Sequence, residues 1–101
     1  MPITVTSRDG VLTIALSGEI DHQVARDMMD AITDAIAERL PARLVLDLSG
    51  VTFMDSSGIA VLLRARRQMS HTGGAVTVTA IPAQARRVLD AAGVGRLISF
   101  D

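Results

Sequence analysis

The stretch LVLDLSGVTFMDSSGIAVLL, Leu44 to Leu63, decides how the rest of the chain is read. Leu44 to Leu48 is a near-continuous apolar run, the pattern of a central strand expected to be covered on both faces. From Ser56 the period changes. Ile59, Leu62, Leu63 and Met69 can pack inward as one side of a helix, with Ala60, Arg64 and Arg67 facing elsewhere, until His71-Thr-Gly-Gly74 breaks it. The strand thus leads straight into a helix, and the elements on either side decide the topology.

Toward the N-terminus, Ile3 to Ser7 alternates, Asp9-Gly10 is a strong two-residue turn, and Val11 to Leu16 alternates again, which makes a β-hairpin. After Gly18 a helix follows, with Ala25, Met29, Ile32, Ile36 and Leu40 at helical spacing and Arg26, Asp27, Asp30, Asp34 and Glu38 opposite. Pro41 ends it. Toward the C-terminus, Ala75 to Ala80 alternates Val with Thr as a further strand. Pro82 suits the first turn of a helix with Ala85, Val88, Leu89 and Ala92 inward, and Gly93 is placed to terminate that helix. A last strand is expected at Leu97 to Phe100. The order β-β-α-β-α-β-α-β predicts an α/β fold with a mixed sheet of about five strands and a largely parallel centre.

With 101 residues, 49% of them hydrophobic and 21% charged, the chain is expected to form one domain over 1–101. Neither a basic leader with a long apolar run nor a stretch near the length of a membrane span is evident, so membrane insertion is not expected and a cytoplasmic setting is. There are no cysteines, which excludes disulfides and thiolate metal sites. A net charge of −1, with Phe53 and Phe100 as the only aromatics, argues against direct nucleic-acid binding.

Several constellations invite chemistry. A serine hydrolase needs the G-x-S-x-G turn, and Met54-Asp55 stands where its first glycine should be. A triad assembled in space with His22 or His71 stays conceivable, but no second motif supports it. Asp21-His22 could be a metal fragment, yet no further ligands follow at helical spacing; Asp21 reads better as a helix N-cap with His22 in the first turn. His71 fits a helix C-terminus. Arg64, Arg66 and Arg67 read first as a solvated face. Gly73-Gly74 lacks the surroundings of a phosphate loop, and the chain has no lysine.

Asp55, Ser56, Ser57 and Gly58 remain. Capping explains one of them. Three polar residues followed by a glycine leave the start of the helix open to close approach from outside, and a helix N-terminus is where phosphate sits most easily.

These residues resemble the STAS domain of bacterial anti-sigma-factor antagonists of the sporulation and general-stress type, over about Val5 to Phe100. The resemblance rests on Leu16-Ser-Gly-Glu-Ile-Asp-His22, Leu44 to Leu48, Phe53-Met-Asp-Ser-Ser-Gly58, Gly73-Gly74 and Ala91-Ala-Gly-Val94. It implies a non-enzymatic protein that binds an anti-sigma factor serine kinase, releases sigma factor, and is switched off by phosphorylation of Ser56. A phosphoserine phosphatase resets it, and ATP and magnesium belong to the kinase, with no cofactor on this chain. It implies partner binding by Gly18, Glu19, Ile20 and Asp21 together with Asp55, Ser56, Ser57 and Gly58. Gly58-Ile59-Ala60 departs from the Gly-Leu-Gly common in the family, and close relatives continue past the last strand into a further helix where this sequence stops at Asp101. The alternative is an unswitched STAS docking subunit of a membrane-associated lipid or anion transport complex. Oligomeric state is left open.

Overall fold

The computed structural model describes residues 3–101. They form β1 (Ile3–Arg8), β2 (Val11–Ile20), α1 (His22–Arg39), β3 (Arg43–Met54), α2 (Ser56–Ser70), β4 (Ala75–Thr79), α3 (Ala83–Ala91), a 3-10 turn (Val94–Arg96) and β5 (Ser99–Phe100). The five strands lie side by side in the order β1-β2-β3-β4-β5. β1 is antiparallel to β2, across a turn whose Asp9 and Gly10 both have positive φ; the other pairings are parallel.

This order has a consequence for the layers. Successive parallel strands step in one direction only, and right-handed crossovers then bring α1, α2 and α3 to the same face. Burial agrees: Leu12, Ile14 and Leu16 of β2, Leu44, Leu46 and Leu48 of β3, and Val78 of β4 are buried. The residues between them, Val11, Thr13, Ala15, Val45, Asp47, Thr77 and Thr79, are only partly so. The molecule is 19 Å in its thinnest direction, room for one sheet and one helix layer. Leu44 to Leu48 is therefore covered on one face, not on both as its apolar run suggested. Val45 is half-buried, and Asp47 on the bare side accepts from the Ser49 N–H at 2.9 Å.

The helices sit at slightly different rotations from those expected. α1 buries Ala25, Met28, Ile32, Ala35 and Ile36, because it packs against α2 as well as the sheet. Met29 moves to the flank, and Leu40 falls past the helix end, 73% exposed in the left-handed region. α2 buries Gly58, Val61, Leu62, Ala65 and Met69, leaving Ile59 and Leu63 half-buried. α3 buries Ala85 and Leu89, with Val88 half-buried and Ala92 exposed. The last strand is shorter than expected because Val94–Arg96 turns to bury Val94 and Ile98, which leaves Leu97 outside.

β2 and β3 stay paired beyond the reach of the other strands, through two register irregularities, to Glu19↔Phe53 and Ile20↔Met54. Both strands end level. The next residue of each, Asp21 and Asp55, caps a helix.

Candidate functional site

Two helix N-termini emerge side by side at this edge, and a carboxylate opens each. Asp21 accepts from the Gln23 N–H at 3.0 Å and the Val24 N–H at 3.2 Å. Asp55 accepts from the Ser57 N–H at 2.7 Å, while its own N–H donates to the Ile20 carbonyl at 3.1 Å. That last bond ties the start of α2 to the end of β2. The residues expected from both segments, Gly18 to Asp21 and Asp55 to Gly58, thus stand together at one end of the sheet, where β2 and β3 finish side by side.

They are not equivalent. Ser56 is exposed at the first position of α2, and among the described residues nothing hydrogen-bonds its hydroxyl. Ser57 is half-buried. Glu19 is exposed on the neighbouring strand end, so Glu19, Asp21 and Asp55 give the edge three carboxylates. Gly18 has φ +80° with open space around its Cα, a conformation that side chains rarely adopt.

Two expected contact residues have other roles. The Ile20 side chain is fully buried, so this residue reaches the edge only through its carbonyl. Gly58 is buried too, and a Cβ there would lie 2.4 Å from Met54 Cγ and 2.7 Å from Met54 Sδ. Its missing side chain makes room for Met54 from inside the protein; it does not open the helix start to an outside partner. Met54 fills the space beneath α2, which is why this position takes glycine.

Two residues at the edge were not anticipated. Gln84 of α3 binds both main-chain polar groups of Met54, and no periodicity in the sequence marks it. Phe53 is 42% exposed, an aromatic on the surface beside Glu19. A signal for it existed: a strand continued to a buried Met54 turns Phe53 outward.

The histidines give the serines no base. His22 is exposed in the first turn of α1, and His71 caps the far end of α2. Among the described residues, no hydrogen bond links either serine hydroxyl to a histidine, and no three His, Asp or Glu side chains converge as a metal site would require. What the edge offers chemically is an exposed hydroxyl at a helix N-terminus, able to receive a group delivered from outside.

The STAS domain family model matches residues 2–101 of the chain. The chain belongs to the STAS domain family. An anti-sigma F factor antagonist of Paenibacillus polymyxa is 32% identical over 98 residues, covering 97% of this chain and 84% of that protein. The crystal structure of an anti-sigma factor antagonist from Mycobacterium paratuberculosis matches this STAS domain with a TM-score of 0.86 at 31% identity, covering 97% of this chain and 82% of that one. The Bacillus cell fate determinant SpoIIAA in its phosphorylated form shares the fold, with a TM-score of 0.73 at 22% identity over 98% of this chain and 90% of that one. Among the described residues of this STAS domain, no helix is long and apolar enough to cross a membrane.

Proposed function

We propose that this STAS domain is an anti-sigma-factor antagonist that binds an anti-sigma factor serine kinase, so that sigma factor is released, and is switched off by phosphorylation at Ser56. The observation that carries the reading is the exposed, unbonded Ser56 hydroxyl at the first position of α2, beside the Asp55 cap and the acidic end of β2. The partner kinase supplies ATP, magnesium and the catalytic base. The base takes the hydroxyl proton, the Ser56 oxygen forms a bond to the γ-phosphorus, and ADP leaves. A phosphoserine phosphatase reverses the modification, and the chain itself is neither an enzyme nor a cofactor carrier.

Physical chemistry makes this a change of contact without refolding. A helix N-terminus tolerates phosphate, because free N–H groups and the dipole stabilise it. The modification nonetheless adds about −1.5 to −2 charges next to Glu19, Asp21 and Asp55. A partner surface that must approach closely meets repulsion and a desolvation cost, and each ~1.4 kcal/mol of these lowers affinity tenfold. A cytoplasmic setting accompanies such partners.

Intact-mass spectrometry tests the reading. Incubated with ATP, magnesium and a verified active cognate kinase, wild type gains ~80 Da, and Ser56→Ala does not. An unmodified wild type rejects the switch and favours the unswitched docking subunit.

A further inference from the structure

On the side away from the sheet, α1 and α2 enclose a groove of about 650 Å³, lined by Met29, Leu63, Arg64, Arg67, Gln68 and His71 among others. Its floor is apolar at Met29 and Leu63. Gln68 Nε2 donates to the Thr33 carbonyl at 3.0 Å, whereas Gln68 Oε1 is buried without a partner. The exposed residues of the two helices differ in charge. Asp27, Asp30, Asp34 and Glu38 are exposed on α1 with Arg26 and Arg39, whereas Arg64, Arg66 and Arg67 are exposed on α2, which has no acid, and His71 is exposed at its C-cap. Among the described residues the ion pairs are Arg8–Asp9, Glu38–Arg39 and Arg86–Asp90, so none joins α1 to α2.

The two rims also match in height. Because Ile20 and Met54 are paired in the sheet, the caps Asp21 and Asp55 are level, and both helices return from the same edge. Asp30 and Arg64 each stand nine residues past their caps, and Met29 and Leu63 each stand eight past. Asp34 is thirteen residues past Asp21 and Arg67 twelve past Asp55, while Glu38 and His71 are seventeen and sixteen past. At ~1.5 Å per residue these offsets differ by no more than about one rise.

We infer that the outer face of α1 and α2 is a self-complementary surface on which a second copy of this chain docks. A two-fold axis running along the groove, parallel to the helices, preserves height and places α1 of each copy over α2 of the other. Asp30 then faces Arg64 of the second copy, Asp34 faces Arg67, and the Met29 and Leu63 floors meet. Each such contact is made twice, as an isologous interface requires. Two helices side by side offer on the order of 500 Å² per copy, at the low end for specific interfaces, so the dimer is weak and strongly dependent on salt. The face is distinct from the Ser56 edge, so the dimer and the phosphorylation switch stand or fall separately.

Sedimentation velocity on the full chain tests this with two charge-reversed variants, Arg64→Glu/Arg67→Glu and Asp30→Arg/Asp34→Arg. Wild type is expected to show a monomer–dimer equilibrium that weakens at least about tenfold between ~50 mM and ~500 mM salt, as screening shortens. Each variant alone sets like charge against like and is monomeric where wild type dimerises; an equimolar mixture restores opposite charges at both halves and associates. A wild type that stays monomeric at ~1 mM protein in low salt, where exposed charges are least screened, overturns the inference and leaves the groove to another partner. So does a dimer indifferent to both variants, or a mixture that fails to associate.

Discussion

Gln84 holds Met54 by both its main-chain groups: the Met54 N–H donates to Gln84 Oε1 at 2.8 Å, and Gln84 Nε2 donates to the Met54 carbonyl at 2.8 Å. β4 accompanies β3 only as far as Asp47↔Thr79, so the end of β3 has no strand on that side. The carboxamide takes the place of the missing peptide neighbour. It thereby anchors the residue immediately before Asp55 and Ser56.

Gln84→Ala removes both bonds, at about 0.5–1.5 kcal/mol net for each. The expected loss is about 1–3 kcal/mol, read from the urea midpoint at unchanged slope. Gln84→Glu keeps an acceptor for the Met54 N–H but turns a carboxylate toward the Met54 carbonyl, and should recover only part of the loss. A midpoint unmoved by Gln84→Ala would show that the clamp contributes nothing.

Asp55→Ala leaves the Ser57 N–H without its side-chain acceptor and is expected to cost about 0.5–2 kcal/mol, whereas Asp55→Asn retains most of the cap. Asp21→Ala, which frees the Gln23 and Val24 N–H groups, belongs in the same range. Chemical denaturation of the three variants checks the order: Asn above either Ala.

Gly58→Ala normally favours a helix by about 1 kcal/mol. At this position the sign should reverse, because the new Cβ would lie 2.4 Å from Cγ of the fully buried Met54. A net loss of about 1–3 kcal/mol is expected from overpacking, seen as a fall in Tm of at least about 4 °C. A raised Tm would contradict the packing described for Met54.

Leu40→Gly should stabilise the protein by about 0.5–1 kcal/mol. Leu40 caps α1 with φ 48° and ψ 55°, a strained conformation for a side-chain-bearing residue, and its side chain is 73% exposed. Thermal unfolding of this one variant decides between relieved strain and lost backbone rigidity.

On the proposed antagonist function, Phe53→Ala should cost about 1–2 kcal/mol of stability, since 42% of the residue is exposed and the rest is covered, and weaken binding of the anti-sigma factor by at least about tenfold. Calorimetric titration against the cognate anti-sigma factor measures it, with the unfolding midpoint as the control.

Much of this molecule was legible in order. The hairpin turn at Asp9-Gly10 and the caps Asp21 and Asp55 depend on φ, ψ and side-chain oxygens within a few residues, and a local cause leaves a local mark. The motif Asp55-Ser56-Ser57-Gly58 was visible for the same reason. Layering was less so. The run Leu44 to Leu48 suggested a strand buried on both faces, but whether a second face is covered depends on the direction in which strands are added, and the order β1 to β5 leaves it bare. Side-chain roles at the edge were also decided in three dimensions. Ile20 turned into the core, Gly58 made room for Met54, and Gln84 arrived from α3, thirty positions beyond Met54. Elements and their order could be read along the chain, because helix and strand periods and helix caps are set by near neighbours. Which strand ends meet, what braces them and which face stays bare emerge from packing, which brings together residues that no local pattern relates.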